Sequence, residues 1–299
     1  MITTNPFLTA ERDPFQNPAV VAEKLLYRYG LLSARELTLP DFLCVGFRKA
    51  GTTWLFENLH RHPEIYLPPF KNVRYFSTFY HHPLAAYAAV FEAGKTRLKG
   101  DFSNSYGRIA PRRLRFMRTV MPEVKLITLL RNPVEREWSD FRHRLTENGL
   151  SLETLSESEV RQRLRQSSLY QAGSYTTVLD KLQGIFPPEQ LFVGFYDDIA
   201  ERPKGLLSDV FDFLGVTVPS DWRAFPYEAV IIPPAGPAYE SFDPWRGVVA
   251  RQHQNSAETL PEQYRAFLHK LLQNELRELH RRYGERVEGW LESPLLSNA

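Results

Sequence analysis

Apolar residues fall along this chain in short blocks, separated by turn residues and by longer stretches with helical spacing. Phe42-Leu43-Cys44-Val45 stands between Leu39-Pro40 and Gly46, which predicts a short buried strand. Residues 124–130 form the strongest apolar run and end at Arg131-Asn132-Pro133, so a second buried strand is expected there. Further strands are expected to end near Lys99-Gly100-Asp101 and to run over 191–196. Between them, Thr52 is placed to N-cap a helix that buries Leu55 and Leu59 until His62-Pro63 stops it. An arginine-rich helix follows Pro111, another starts near Val134, and a third runs to Phe213-Leu214-Gly215. Tyr264, Leu268, Leu272, Leu276, Leu279 and Tyr283 recur at helical spacing, with Gly284 as a natural stop.

Strands alternating with helices imply an α/β fold: one domain with a central parallel sheet flanked by helices. Residues 1–40 read as a helical lead-in, carried by AVVAEKLLYRYGLL, and 41–299 as the domain itself. Within it, 145–170 is a polar excursion of helical pattern and 217–260 is proline-rich and aperiodic. Both are expected to be acceptor-side or covering segments. In such sheets ligands bind beyond the carboxyl ends of the strands, so the residues just after each strand are the informative ones.

Composition narrows the classes. With 43% hydrophobic residues among 299, the chain can bury a sizeable core. A formal net charge of +2 gives no reason to expect a nucleic-acid partner. Cys44 is the only cysteine, so no intrachain disulfide can form and a reducing, cytoplasmic location is expected. It reads as a small buried hydrophobe, not a nucleophile. The N-terminus lacks the basic-then-apolar order of a signal peptide, and no apolar run approaches the ~20 residues of a membrane span.

The chemistry starts at Gly46-x-x-x-x-Gly51-Thr52-Thr53, which has the glycine spacing of a phosphate loop. The glycines permit a tight turn that points amides and a helix N-terminus at an anion. A nucleotide kinase or NTPase would place lysine directly after the second glycine and Ser/Thr next for Mg²⁺. Here Thr52 holds that place and the lysine is Lys49, which argues against phosphoryl transfer and for a less charged group.

Val45-Gly46-Phe47-Arg48-Lys49-Ala50-Gly51-Thr52-Thr53-Trp54-Leu55 resembles the 5′-phosphosulfate loop of the sulfotransferases that use 3′-phosphoadenosine 5′-phosphosulfate (PAPS) and release PAP. The pattern is nearest the bacterial and heparan-sulfate-type members. Arg131-Asn132-Pro133-Val134-Glu135-Arg136-Glu137-Trp138-Ser139 resembles that family's 3′-phosphate element. His62-Pro63 through Lys71, Ala172-Gly173-Ser174-Tyr175, and Tyr196-Asp197-Asp198 with Phe213-Leu214-Gly215 match further landmarks. The resemblance implies a P-loop-like sulfotransferase fold and metal-free, in-line transfer to a small-molecule or glycan acceptor. It implies that Lys49 stabilises the leaving phosphate and that Arg48, Ala50, Gly51, Thr52 and Thr53 build the loop around it. Trp54 and Tyr196 would meet adenine, and Arg131 and Ser139 the 3′-phosphate. The family's Lys-Gly-Arg cofactor loop has only Arg246-Gly247 as a counterpart.

The general base is open at this level. The heparan-type position holds Asn72 and the cytosolic-type position falls at or near Asn104, and an amide takes no proton at neutral pH. Asp101, directly after a strand, is the leading candidate, followed by His81 and His82. A PAPS- or PAP-binding protein without catalysis is the alternative that these amides suggest. Arg108, Arg112, Arg113, Arg115 and Arg118 read either as a solvated helix face or as a rim for an anionic acceptor.

Overall fold

The structure is a computed structural model that describes residues 17–166, 174–229 and 260–291. Five parallel strands, β1 (Phe42–Gly46), β2 (Ile65–Tyr66), β3 (Leu98–Phe102), β4 (Lys125–Leu130) and β5 (Leu191–Phe195), form one sheet in the order β2-β3-β1-β4-β5. Every residue of β1 is buried and β4 is buried from Leu126 onward, as expected of strands covered on both faces. The register pairs Cys44 with Phe102 on one side and with Ile127 on the other. The chain leaves β1 towards β2 and β3, then returns to its other edge for β4. The sheet therefore reverses its winding at β1, and the cleft opens at that strand's carboxyl end. Thr128 Oγ1 donates to the Gly46 carbonyl at 3.0 Å and fixes the end of β1 against β4.

Helices cover both faces: α1 (Pro18–Arg28), α2 (Thr52–His60), α3 (Leu84–Ala89), α4 (Pro111–Val120), α5 (Pro133–Glu147), α6 (Glu157–Arg165), α7 (Tyr175–Gln183), α8 (Asp198–Glu201), α9 (Pro203–Leu214) and α10 (Glu262–Tyr283). The α/β class, the four strands read from apolar runs and the major helices stand as expected. β2 spans two residues, too few to leave a pattern. The lead-in helix is shorter than its apolar pattern, because the chain turns at Gly30 with φ of +70°. Thr52 does not cap α2. Gly51 occupies that position at φ +86°, with no side chain closing the first turn.

The 145–170 excursion carries α6, which buries Val160 and Leu164 and stacks the Arg161 and Arg165 guanidinium groups on Phe267 of α10. It is a packed layer of the domain. Of 217–260, residues 217–229 lie over the last turns of α9 and the residues just after α2: Phe225 packs on Phe211 and Trp222, and His62 Nε2 meets the Thr217 carbonyl at 2.8 Å. Arg246-Gly247 and Ala172-Gly173 lie outside the described residues. The segment Gly284–Trp290 is locked to the exit of β5, with the Trp290 indole donating to Asp197 and Arg286 pairing with buried Asp198.

Candidate active site

The loop after β1 is shaped by its backbone. Lys49 (φ +66°) and Gly51 (φ +86°) both take the left-handed conformation, with Ala50 between them. For lysine this costs about 1 kcal/mol or more, which the surrounding contacts must offset. Such left-handed steps in a tight loop are the backbone form of an anion-binding nest. At Gly51 a Cβ atom would stand 2.4 Å from Ile199 Cδ1 and 3.1 Å from Tyr196 Cδ2, so only glycine lets the loop pack under the β5 exit. The first turn of α2, uncapped by any side chain, adds its amides to the same place.

Arg131, directly after β4, reaches that loop. Its Nη1 donates to the Lys49 carbonyl at 3.2 Å, and its guanidinium lies 4.5 Å over the Tyr196 ring. The buried Tyr175 hydroxyl donates to the Arg131 carbonyl at 3.0 Å and holds the strand exit in place. Ser139 is buried two turns into α5, between Arg136 and Asp140, which both contact Arg48 of the loop. The structure thus places Lys49, Gly51, Arg131 and Tyr196 together. Arg48 differs: its guanidinium is taken by Asp140 (2.9 Å) and Glu147 (2.9 Å) of α5, while its carbonyl accepts from Arg136 at 3.4 Å. It braces the loop against α5. Trp54 differs as well. At 3% exposure, with its indole N–H donated to the Tyr227 carbonyl at 3.0 Å, it anchors the covering segment and presents no open ring.

Lys71 was not singled out from sequence. Its Nζ donates to Thr52 Oγ1 (3.3 Å) and Thr53 Oγ1 (3.0 Å), over the rings of Phe56 and Phe102. A second ammonium therefore stands at the threonines of the loop. Facing it from α2 is Glu57, whose carboxyl is pushed up to about 7 by burial, against the pull of Lys71 and Arg61. Lys71 lies in the His62–Lys71 landmark, and its position within that motif was the available signal.

The base candidates separate clearly. Asp101 is fully buried; Oδ2 accepts from the Tyr87 and Tyr106 hydroxyls (2.8 Å each) and Oδ1 from Ser103 Oγ (2.7 Å). Burial raises its carboxyl to about 6 while these hydrogen bonds oppose the rise. With both oxygens engaged in the core, it is a scaffold residue, and the expectation of a base there is corrected. His81 and His82 pack on each other and on Phe79, on the flank where the His82 carbonyl accepts Lys24 of α1. Asn72, held by its N–H to the Phe102 carbonyl (2.7 Å), and Asn104, whose backbone adjoins Gly46, do stand at the cleft.

One histidine, His143, one turn of α5 past Ser139, lies in the electrostatic field of the loop cations. Its Nε2 is 3.4 Å from Glu147, and its pKa is lowered first by burial, then by the charges of Lys49 and Arg48. In the sequence it stands between Arg142 and Arg144 on a helix, with nothing local to mark it beyond its spacing from Ser139. The arginine cluster also divides: Arg108 lies in the field of Asp140 and Arg136, whereas Arg113 and Arg118 donate to the carbonyls of Ser77 and Ile185. The cluster is therefore not one acceptor rim. Among the described residues no three His, Cys, Asp or Glu side chains stand close enough to hold a metal ion.

Similarity to known proteins agrees with this geometry. The sulfotransferase domain family matches residues 39–226. Over 117 residues the chain is 34% identical to "Membrane-associated sulfotransferase kil1" of Dictyostelium discoideum, covering 37% of this chain and 24% of that protein. Over 184 residues it is 29% identical to human "Heparan sulfate glucosamine 3-O-sulfotransferase 6", covering 59% and 52%. The chain thus spans about half or less of the length of these curated relatives. A solved sulfotransferase from Alicyclobacillus acidocaldarius superposes with a TM-score of 0.60 at 24% identity, covering 85% of this chain and 99% of that one. A mouse sulfotransferase solved with PAP gives 0.54 at 18%, covering 89% and 96%. With a parallel sheet wound about β1, a lysine-bearing loop at its end and a family match across both, this chain belongs to the sulfotransferase domain family.

Proposed function

We propose that this protein transfers a sulfuryl group from PAPS to a hydroxyl or amine of a small-molecule or glycan acceptor. One observation carries the reading: Arg131 is tied to the Lys49 carbonyl, which supports a single nucleotide held by Lys49 at its 5′ end and by Arg131 at its 3′ end. The left-handed turn at Gly51, the uncapped first turn of α2 and the planar fork of Arg131 support a nucleotide with phosphates at both positions. Support for a glycan acceptor comes from the heparan sulfate relative, and support for the nucleotide from the PAP-bound structural neighbour. A cytoplasmic location belongs to the same reading, supported by a single cysteine that lies buried in β1.

PAPS supplies an activated sulfuryl group whose departure leaves a phosphate. In this reading Lys49 meets the charge that develops on that phosphate, and Lys71 orients Thr52 and Thr53 beside it. His143 takes the acceptor's proton. Burial and its cationic neighbours hold it below the ordinary histidine value, so it is neutral and able to accept at pH 7. A histidine at that place removes the main support for a binder without turnover, which rested on Asn72 and Asn104. The displaced lysine still disfavours the kinase reading.

The test is sulfate transfer from labelled PAPS to a panel of hydroxyl and amine acceptors, with the product identified by mass spectrometry. Lys49→Ala should lower turnover by roughly 100-fold or more. A Lys49→Ala protein with normal rates rejects the proposed role. His143→Gln should lower kcat by about 100-fold or more with PAP affinity kept. The wild-type rate should fall as pH drops through a midpoint below the usual histidine value, and His143→Gln should lose that limb. An unchanged profile excludes His143 as the base.

A further inference from the structure

Helix α1 is built inside out. Its only lysine, Lys24, points into the protein: Nζ donates to the His82 carbonyl at 3.0 Å and sits 4.6 Å over the Tyr80 ring. Val20 shares that inner side, and Tyr27 is half-buried there. The outward side and the turn after the helix carry Val21, Leu25, Leu26, Tyr29, Leu31 and Leu32, all exposed, with Tyr29 at 72% and Leu31 at 71%. Only two other large exposed hydrophobic residues occur among the described residues, Leu150 and Val218, so the exposure is concentrated in one surface. A helix that met only water would carry its lysine outside and its leucines inside. A contiguous apolar surface of this kind marks an interaction site.

Charge identifies the partner. Helix α4, which packs against α1, contains four arginines and no acidic residue. Arg112 and Arg115 are exposed on it, and Arg28 is exposed on α1 itself. Arg113, Arg28 and Arg112 all lie within electrostatic reach of the Tyr80 hydroxyl, and α1 packs on α4, so arginines of both helices converge on the region of α1. The acidic residues of this stretch are Glu23, whose Oε1 accepts the Leu84 N–H, and the exposed Glu36. A two-fold contact with a second copy would bring the same arginines against one another. A surface that is apolar within and anionic at its plane matches both features. At 11 residues α1 is about 16 Å long, enough to lie along such a plane and too short to cross it; no helix among the described residues is long and apolar enough to span a membrane.

We propose that α1 and the turn after it dock this protein peripherally on an anionic lipid surface, with Leu25, Leu26, Tyr29, Leu31 and Leu32 entering the interface and Arg28, Arg112 and Arg115 meeting lipid phosphates. The inference stands apart from the sulfuryl-transfer reading, since none of these residues belongs to the loop or to α5. Flotation of the full chain with vesicles tests it, using phosphatidylcholine alone against phosphatidylcholine mixed with phosphatidylglycerol. Binding is expected only to the anionic vesicles and should weaken with added salt. Leu25→Asp with Leu31→Asp should lower it by about tenfold or more, as should Arg112→Glu with Arg115→Glu. Both pairs are exposed, and an unchanged melting temperature and PAP affinity would show the fold and the nucleotide site intact. Absence of binding to anionic vesicles, or equal binding by the variants, overturns the proposal. So does a dimer in sedimentation that Leu25→Asp dissolves, which would make the face an interface between copies.

Discussion

The hydroxyls of Tyr87, Tyr106 and Ser103 all point their protons at one carboxylate, Asp101, sealed beneath the floor of the cleft. Asp101→Asn replaces an acceptor oxygen by a donor and leaves a buried hydroxyl mispaired, at a cost of about 1–3 kcal/mol in denaturant unfolding. The rate per folded molecule should stay close to wild type. A selective loss of kcat at unchanged stability would return Asp101 to the role of base. Glu57 makes a related prediction. Its carboxyl, raised to about 7 by burial, holds a proton in the folded chain at pH values where the unfolded chain has released it. Stability therefore falls as pH rises from the usual carboxylate range towards 7, and Asp101, raised to about 6, adds to the lower part of that fall. Glu57→Gln should flatten the upper part and raise the melting temperature at pH 8. A Glu57→Gln curve identical to wild type would show that the Glu57 carboxyl is not raised in the folded chain.

Among elements, the loop and α5 form one device. Arg48 clasps Asp140 and Glu147, Arg136 reaches the Arg48 carbonyl, and Arg131 holds the Lys49 carbonyl. Gly51→Ala would push a methyl group into Ile199 and Tyr196 and strain a left-handed φ. PAP affinity should drop by about tenfold or more even if the protein remains folded. Normal affinity would mean that the loop is not where the nucleotide binds. Much of this device was legible: Lys49, Gly51 and Arg131 each follow a buried strand, and strand ends are where this class of sheet places its ligands. The lock between Arg48 and α5 was not, because it joins residues about ninety positions apart with no local pattern to announce it. His143 was hidden for the same reason. Thr52 misled because a threonine is the usual helix cap, whereas here glycine stands at the start of α2 and no side chain closes its first turn.

At the scale of the whole molecule, β1 and β4 were readable because a strand covered on both faces must be continuously apolar. β2 was not, since two residues carry no period. The reversed polarity of α1 was also invisible to pattern alone: apolar residues at helical spacing say that a face is buried, not which face. The central claim is that the sheet's reversal at β1 builds a single site for a nucleotide phosphorylated at both ends. Calorimetric titration of the purified chain with PAP and with AMP, which lacks the 3′-phosphate, addresses it directly. PAP should bind about tenfold or more tighter than AMP, with Arg131→Ala erasing most of the difference. Equal affinity for the two nucleotides, or no heat with PAP, would contradict it.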